Sequence, residues 1–148
     1  MNSTKIFPID KFIENALYNN RHGYYSNKNP FGKSGDFITS PGISFLFSEM
    51  IAIWTISFCE SLDKPEKFNI VELGPGDGEL CRVLINTFKK FPNFYKSLNI
   101  FLYERSKFLK NIQKNKIKEK NVKWLSNLNE IKDGPSLFFG NEFFDAIP

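Results

Sequence analysis

The chain has 148 residues, a length that suits one domain with a single core and not two domains joined by a linker. Hydrophobic residues make up 41% and charged residues 24%, as in soluble globular proteins. The apolar stretch from Ser44 to Phe58 is too short and too broken by Glu49 to span a bilayer. Because His22 is the only histidine, the chain has too few histidine side chains for the usual zinc site and little basis for a Ser-His-Asp triad. We therefore predict no metal.

The net charge of +4 comes partly from seven lysines between Lys107 and Lys123, on or beside one predicted helix. We interpret them as a solvated helix face and predict no nucleic-acid partner. A nucleic-acid surface is the alternative, but no aromatic interleaving or recognition motif favours it. Cys59 and Cys81 lie in apolar helical patterns without a CxxC partner, which indicates reduced thiols in or near the core.

The N-terminal residues lack the long apolar core of a signal peptide, and Asp10 argues against a transit peptide. We expect a cytoplasmic protein if the source is bacterial, and a protein of the mitochondrial matrix if it is eukaryotic.

The first third of the chain predicts a short helix, a loop and a longer helix. Apolar residues at helical spacing between Ile9 and Leu17 predict the first helix. Residues 23–41 are rich in Gly, Pro, Ser and Asn but carry four aromatic side chains, so they predict either an aromatic-anchored connector or a flap over a ligand. Thr39 or Ser40, just before Pro41, is a candidate start for the second helix. An apolar stripe along that helix is predicted to pack in the core: Ile43, Phe47, Met50, Ile51, Trp54 and Phe58.

The rest of the chain alternates between strand and helix signals. Apolar runs predict strands at residues 68–73, 98–103, 122–125 and 137–140. A helix is predicted from Leu80 to Phe91, ended by Pro92, and another is predicted to be capped by Ser106. This alternation predicts an α/β, Rossmann-like, doubly wound sheet with helices on both faces. We divide the chain into an N-terminal region, residues 1–66, and an α/β part, residues 67–148, within one structural unit.

The segment FNIVELGPGDGEL, Phe68 to Leu80, predicts a buried strand, a tight loop and a helix start. Ligands of open α/β sheets bind beyond the carboxyl ends of the strands, where this loop would lie. The glycine spacing is G-x-G-x-G, so Glu79 occupies the position of the last glycine in the dinucleotide fingerprint G-x-G-x-x-G. Glu72 would also repel a pyrophosphate, whereas S-adenosylmethionine brings a sulfonium and an ammonium. We therefore predict an S-adenosylmethionine site and disfavour a nicotinamide-dependent oxidoreductase.

Glu104 ends the second predicted strand, about 30 residues after the first glycine, and is placed to accept both ribose hydroxyls. NAD sites use an acid in the same way, so Glu104 does not distinguish the two cofactors. A lone glycine turn is often only a turn, and a strand-end acid is often only solvated. The two together after successive strands favour a cofactor site.

Several motifs then resemble one family across nearly the whole chain. They are GDFITSP at Gly35 to Pro41, the helix reaching Trp54, VELGPGDG at Val71 to Gly78 and NEFFDAIP at Asn141 to Pro148. In these motifs and their order the chain resembles the MidA-like family of class I S-adenosylmethionine-dependent methyltransferases. The resemblance implies protein arginine N-methylation linked to assembly of respiratory complex I, and therefore a protein substrate.

The resemblance also implies roles for individual residues. The methionine part of the cofactor would be held by Glu72, Gly74, Gly76 and Gly78, and the ribose by Glu104. A loop over cofactor and substrate would be formed by Gly35, Asp36, Thr39 and Ser40. The acceptor would be oriented by Asn141 and Glu142, assisted by Asp145. For an arginine acceptor, Glu142 is our candidate for a bidentate contact with the guanidinium.

Two departures from the family matter. Gly42 stands where the family usually has an acid, and the chain stops at Pro148, whereas family members are much longer. In the class I strand order 3-2-1-4-5-7-6 the strands present are the first four, so the apolar fourth strand would be an open edge. We therefore expect either one piece of a split gene that needs a complementing C-terminal chain or a truncated relic. The alternative function is a catalytically inactive assembly or interaction module that keeps the fold.

Overall fold

The structure, a computed structural model, describes residues 6, 8–32, 35–37, 44–131 and 133–148. Its centre is a four-stranded parallel sheet with the order β3-β2-β1-β4. The strands are β1 (Phe68–Leu73), β2 (Leu98–Tyr103), β3 (Val122–Leu125) and β4 (Ser136–Phe139). The first five residues of β1 are buried, as expected for the central strand of a parallel sheet. The predicted Rossmann-like α/β class and the order of its first four strands are confirmed.

Six α-helices and two 3₁₀ turns surround or follow the strands in the described residues. The helices are α1 (Ile9–Tyr18), α2 (Tyr24–Asn27), α3 (Phe45–Ser61), α4 (Glu79–Phe88), α5 (Pro92–Ser97) and α6 (Lys107–Lys116). The 3₁₀ turns are Leu128–Glu130 and Phe144–Ala146.

The predicted helix boundaries are confirmed at one helix start and corrected at one helix end. The Ser106 hydroxyl accepts a hydrogen bond from the Leu109 amide at 3.2 Å and caps α6, as predicted. The helix expected to reach Phe91 ends at Phe88 instead. Pro92 begins α5 there, because the first position of a helix needs no N–H donor.

The two sides of the sheet carry hydrophobic clusters of different size. Side chains of Phe68, Ile70, Ile100 and Leu102 share the larger cluster with residues of α3 and α4. The opposite face carries a smaller buried cluster, formed by Val71, Phe101 and Leu125. Both cysteines are free and buried, as predicted.

Helix α3 packs on α4 mainly through a face other than the one predicted to be buried. Its buried side is small, with Ser48, Ala52, Thr55, Ile56 and Cys59. Of the described residues in the predicted stripe, Met50 and Trp54 are 62% and 56% exposed, Phe47 and Phe58 are each 37% exposed, and Ile51 packs against the core. The helix is apolar on all sides, so hydrophobicity alone does not choose the buried face. Mostly small residues, together with Ile56, form that face, and most of the bulky side chains are exposed.

Strand β4 pairs with β1, and no described strand lies along its other side. Phe138 of β4 is about half exposed. The predicted helix start at Thr39 or Ser40, together with Pro41, Gly42 and Ile43, lies outside the described residues. Within the described ranges, no helix combines the length and the apolarity needed to cross a membrane.

Candidate functional site

A cavity of about 520 Å³ opens beyond the carboxyl ends of β1, β2 and β4, within the usual range for small-molecule sites. Its floor is the glycine loop after β1 together with Glu104 after β2. Its roof comes from the N-terminal helices, and its third side comes from the segment that follows β4. Three parts of the chain that are distant in sequence therefore meet at the position expected for a ligand.

The backbone of the glycine loop is left-handed at three alternate residues. Gly74, Gly76 and Gly78 have φ angles of 63°, 56° and 80°. Only glycine adopts this region readily. A Cβ atom on Gly74 would also lie 2.5 Å from Cδ2 of Phe143, so the ring of Phe143 packs directly on the loop. The three glycines are thus required both by backbone conformation and by close packing.

Glu72 lies beneath this loop and is not part of the cavity wall. Its side chain is 3% exposed, and its Oε2 has no hydrogen-bond partner among the described residues. Burial, with smaller contributions from the carboxylates of Asp77 and Glu104, raises the pKa of Glu72 to about 8. A buried carboxyl group without a partner is unusual and calls for a functional or structural cause. At neutral pH this group holds its proton.

Glu104 lines the cavity and is held by two donors. Its Oε1 accepts a hydrogen bond from the Ser106 amide at 2.8 Å, and its Oε2 accepts one from Nε2 of Gln113 at 3.2 Å. Burial raises the pKa of Glu104, and these two hydrogen bonds oppose that rise. Each carboxylate oxygen keeps a lone pair beyond those already used, so Glu104 can accept further hydrogen bonds from a ligand.

The roof of the cavity is aromatic, and hydrogen bonds join it to the segments that follow β2 and β4. The Tyr18 hydroxyl donates to the Ala146 carbonyl at 2.9 Å, and the Ser106 hydroxyl donates to the Tyr25 carbonyl at 2.6 Å. The rings of Tyr25 and Phe31 are stacked with centroids 6.3 Å apart. The sequence predicted either a connector or a flap over a ligand for residues 23–41. Tyr25, Phe31 and Phe37 of this segment line the cavity, which favours the flap.

The electrostatic character of the cavity is negative. Its wall includes the carboxyl groups of Glu104, Glu142 and Asp145. Burial and these three carboxylates raise the pKa of Tyr25. Arg105 also reaches the wall, but its guanidinium pairs with Glu14 and lies 4.4 Å from the centre of the Tyr18 ring. A cationic ligand suits such a cavity better than a pyrophosphate does.

The segment after β4 brings Asn141, Glu142 and Asp145 to the cavity wall. Glu142 has a φ of 51°, in the left-handed region that non-glycine residues seldom occupy. Strain of this kind concentrates at functional positions, because surrounding contacts must maintain it.

The structure brings together half of the twelve site residues predicted from the sequence. The predicted residues in the cavity wall are Gly74, Gly76, Glu104, Asn141, Glu142 and Asp145. Glu72, in β1, and Gly78, the last glycine of the loop, are not in the wall. Gly35 and Asp36 are not in the wall either, and the Asp36 carboxylate accepts from the Tyr24 hydroxyl and the Lys28 ammonium. Thr39 and Ser40 lie outside the described residues.

Sequence reasoning missed two parts of the site. Tyr18 of α1 lies in the roof but outside the aromatic-rich residues 24–37, so the aromatic density there could not indicate it. Gln113 lies in a lysine-rich helix whose pattern suggests a solvated face, so no local signal marked it. Across the described ranges, no group of three or more His, Cys, Asp or Glu side chains is placed to hold a metal ion.

The strand order, the glycine loop, the strand-end acid and the acidic cavity define a Rossmann-like protein with a nucleoside-cofactor site. A family model described as "Putative S-adenosyl-L-methionine-dependent methyltransferase" matches residues 50–148. The chain belongs to this family, and the resemblance to MidA-like methyltransferases is confirmed. The cofactor of the family is S-adenosylmethionine, as predicted.

Curated relatives and solved structures agree with this assignment. The chain is 32% identical to the mitochondrial protein arginine methyltransferase NDUFAF7 of Homo sapiens, over 99% of its own length and 38% of that protein. Its Drosophila melanogaster homologue is also 32% identical, again over 99% of this chain and 38% of the relative. A crystal structure from Burkholderia thailandensis with bound S-adenosyl-homocysteine matches with a TM-score of 0.70 and 25% identity, covering 89% of this chain and 36% of that one.

The chain thus spans less than two fifths of the length of these relatives.

Proposed function

We propose that this chain supplies the S-adenosylmethionine-binding part of a protein arginine methyltransferase. The observation that carries the proposal is the acidic cavity at the glycine loop, with Glu104 in its wall and Glu142 facing it from the segment after β4. The relatives named as protein arginine methyltransferases support the choice of acceptor. A subunit of respiratory complex I is the acceptor that the MidA-like resemblance favours, with the mitochondrial matrix as its compartment in a eukaryote and the cytoplasm in a bacterium.

The residues present fit this cofactor in charge and shape. The ammonium and sulfonium of S-adenosylmethionine suit a wall that carries three carboxyl groups. Glu104 would accept the ribose hydroxyls, while Gly74 and Gly76 would let the methionine part pass close to the backbone. Glu72, which the resemblance assigns to the methionine part, lies outside the cavity wall and holds its proton at neutral pH, so it would add little to binding of the positive charge.

When bound, S-adenosylmethionine supplies a methyl group that its sulfonium already activates for in-line displacement. The chain then has to align the acceptor and exclude water. Exclusion of water would fall to the aromatic roof of Tyr18, Tyr25 and Phe31.

Alignment of an arginine acceptor would fall to Glu142, whose carboxylate can accept two parallel N–H hydrogen bonds from a guanidinium. Its left-handed backbone turns this residue toward the cavity wall at the end of the sheet. Asn141 and Asp145, from the same segment, would complete the contacts with the acceptor. Glu142→Gln should therefore lower methyl transfer more than cofactor affinity.

Isothermal titration of the chain with S-adenosylmethionine and S-adenosylhomocysteine tests the cofactor site. We expect micromolar binding by the wild type and a loss of about 10- to 100-fold in Glu104→Gln, since a charge-assisted hydrogen bond is removed. Glu66→Gln, which changes an exposed carboxylate before β1, is the matched control and should bind normally. A folded wild type that releases no heat, or a Glu104→Gln variant with unchanged affinity, would contradict the proposal.

We further propose that methyl transfer requires a complementing polypeptide that supplies the remaining part of the fold found in the longer relatives. The open side of β4 and the outward bulky face of α3 support this. Unpaired strand edges and contiguous exposed apolar surfaces are typical of surfaces that other polypeptide segments cover.

The same outward face of α3 favours a second candidate, an interaction module without catalysis. Radiolabelled methyl transfer to an arginine-containing protein substrate separates the two functions. The chain is assayed alone and after co-expression with the remaining part of a longer relative. Labelled product in the co-expressed sample supports the methyltransferase. If a stable complex binds S-adenosylmethionine but forms no labelled product, the interaction module is favoured.

A further inference from the structure

Gln113 of α6 is a fully buried polar side chain that joins three parts of the candidate site. It is 0% exposed, although it lies in a helix rich in lysine. Its Nε2 donates to the Gly76 carbonyl at 2.7 Å and to Oε2 of Glu104 at 3.2 Å. Its Oε1 accepts from the indole Nε1 of Trp124 at 2.9 Å. One amide therefore links the glycine loop, the strand-end acid after β2 and strand β3.

The indole of Trp124 determines which way this amide faces. An indole N–H can only donate, so the amide oxygen of Gln113 must point toward it. Both N–H groups of the amide are then directed at the Gly76 carbonyl and the Glu104 carboxylate. In the reversed orientation, the amide N–H groups would face the indole N–H, and the amide oxygen would face the Gly76 carbonyl and the Glu104 carboxylate. Reversal would therefore lose all three hydrogen bonds in a buried environment.

The stem of Gln113 is also pressed against the loop. A Cβ atom on Gly78 would lie 3.3 Å from Cγ of Gln113 and 3.3 Å from Cδ1 of Ile117. The side chain thus touches the loop at Gly78 and bonds it at Gly76. The other oxygen of Glu104 is held separately by the Ser106 amide. Gln113 is therefore the contact that sets the position of Glu104 relative to the loop.

We propose that Gln113 is a positioning residue, which holds the Glu104 carboxylate at a fixed distance from Gly76 and thereby sets the preference of the site for a ribose with free hydroxyls. The inference rests on the proposed function of the cavity. Gln113 itself does not line the cavity and acts through Glu104 and the loop. Its loss should weaken recognition of the ribose hydroxyls more than recognition of the rest of the ligand.

The test compares two ligands, S-adenosylhomocysteine and its analogue whose ribose lacks both hydroxyls, by isothermal titration. The wild type should bind the first more tightly. Gln113→Met keeps a straight side chain of similar length without its hydrogen bonds. It should weaken binding of S-adenosylhomocysteine about 10- to 100-fold and leave binding of the analogue nearly unchanged. Combining it with Glu104→Gln should add little, because both changes remove the same contact.

Two further variants keep the inference falsifiable if Gln113→Met folds poorly. Trp124→Phe removes the N–H donor that orients the amide, together with part of the indole ring, and it should reduce the preference between the two ligands in the same direction by a smaller factor. Thr87→Val changes a buried hydroxyl of α4 remote from the cavity, and it should leave the preference unchanged even if the protein is less stable.

The outcomes separate the inference from the function on which it rests. Two results would overturn the positioning role while leaving the cofactor site intact. In the first, Gln113→Met weakens binding of both ligands equally. In the second, the preference between the ligands is unchanged in both Gln113→Met and Trp124→Phe. A folded wild type that binds neither ligand would overturn the cofactor site itself, and the positioning role with it.

Discussion

Replacing Glu72 with glutamine should stabilise the protein increasingly as the pH rises. Burial raises the pKa of Glu72 from 4.5 to about 8 in the folded state. Between these two values the unfolded chain has released a proton that the folded protein still binds, so the free energy of unfolding falls as the pH rises. The loss is about 1.4 kcal/mol per pH unit, or about 3 kcal/mol between pH 5 and 7.5. That is a large part of the stability of a typical domain.

Glutamine does not titrate, so Glu72→Gln removes this pH dependence. The buried amide has its own hydrogen-bonding cost, which does not depend on pH. The informative quantity is therefore the slope of the difference between variant and wild type. Other carboxylates, such as Glu79, whose pKa the Arg82 guanidinium lowers, contribute equally to both proteins and cancel.

Urea unfolding at several pH values from 5 to 8, followed by tryptophan fluorescence, measures this slope. Glu66→Gln, which changes an exposed carboxylate before β1, serves as the surface control, and the slope for Glu72→Gln is compared with the slope for this variant. A difference for Glu72→Gln that stays constant from pH 5 to 8 would refute the reasoning, since Glu72 would then titrate like an ordinary exposed carboxylate.

Four further substitutions test the loop, a helix cap and the α3 contact. Gly74→Ala places a Cβ against Phe143 at a left-handed φ and should cost about 1–2 kcal/mol in urea unfolding; full stability would contradict the described loop. Ser106→Ala removes the α6 cap and the bond to Tyr25, so thermal unfolding should show a loss of about 1–2 kcal/mol, and an unchanged midpoint would argue against both contacts. Ala52→Leu should cost about 1–3 kcal/mol by forcing α3 from α4, whereas Met50→Ala on the outer face should cost little; the reverse ranking would reverse our assignment of the two faces.

The sheet and its cofactor loop were predictable because each depends on a short stretch of sequence. The apolar runs that form β1 and β2 end at a glycine or an acid, and that local pattern was enough to place both strands and Glu104. Parallel strands bring their carboxyl ends to one edge, so the meeting of Glu104 with Gly74 followed from fold class alone.

The roof and the packing of α3 were not predictable in the same way. The bond from Tyr18 to Ala146 joins residues 128 positions apart, and no local pattern encodes such a pairing. Helical spacing identifies residues that share a face of α3 but not which face is buried when every face is apolar. The burial of Gln113 could not be predicted from its lysine-rich helix, because it depends on partners in three other elements.

The fastening of the aromatic roof has a consequence for the rate of ligand exchange. The roof is tied to the rest of the protein by the Tyr18 hydroxyl, the Tyr25 carbonyl and the ion pair of Arg105 with Glu14. These contacts resist opening of the roof, so breaking one of them should shorten the residence time of a ligand bound beneath it. Because the ion pair is exposed to solvent, added salt should weaken it and shorten that residence time.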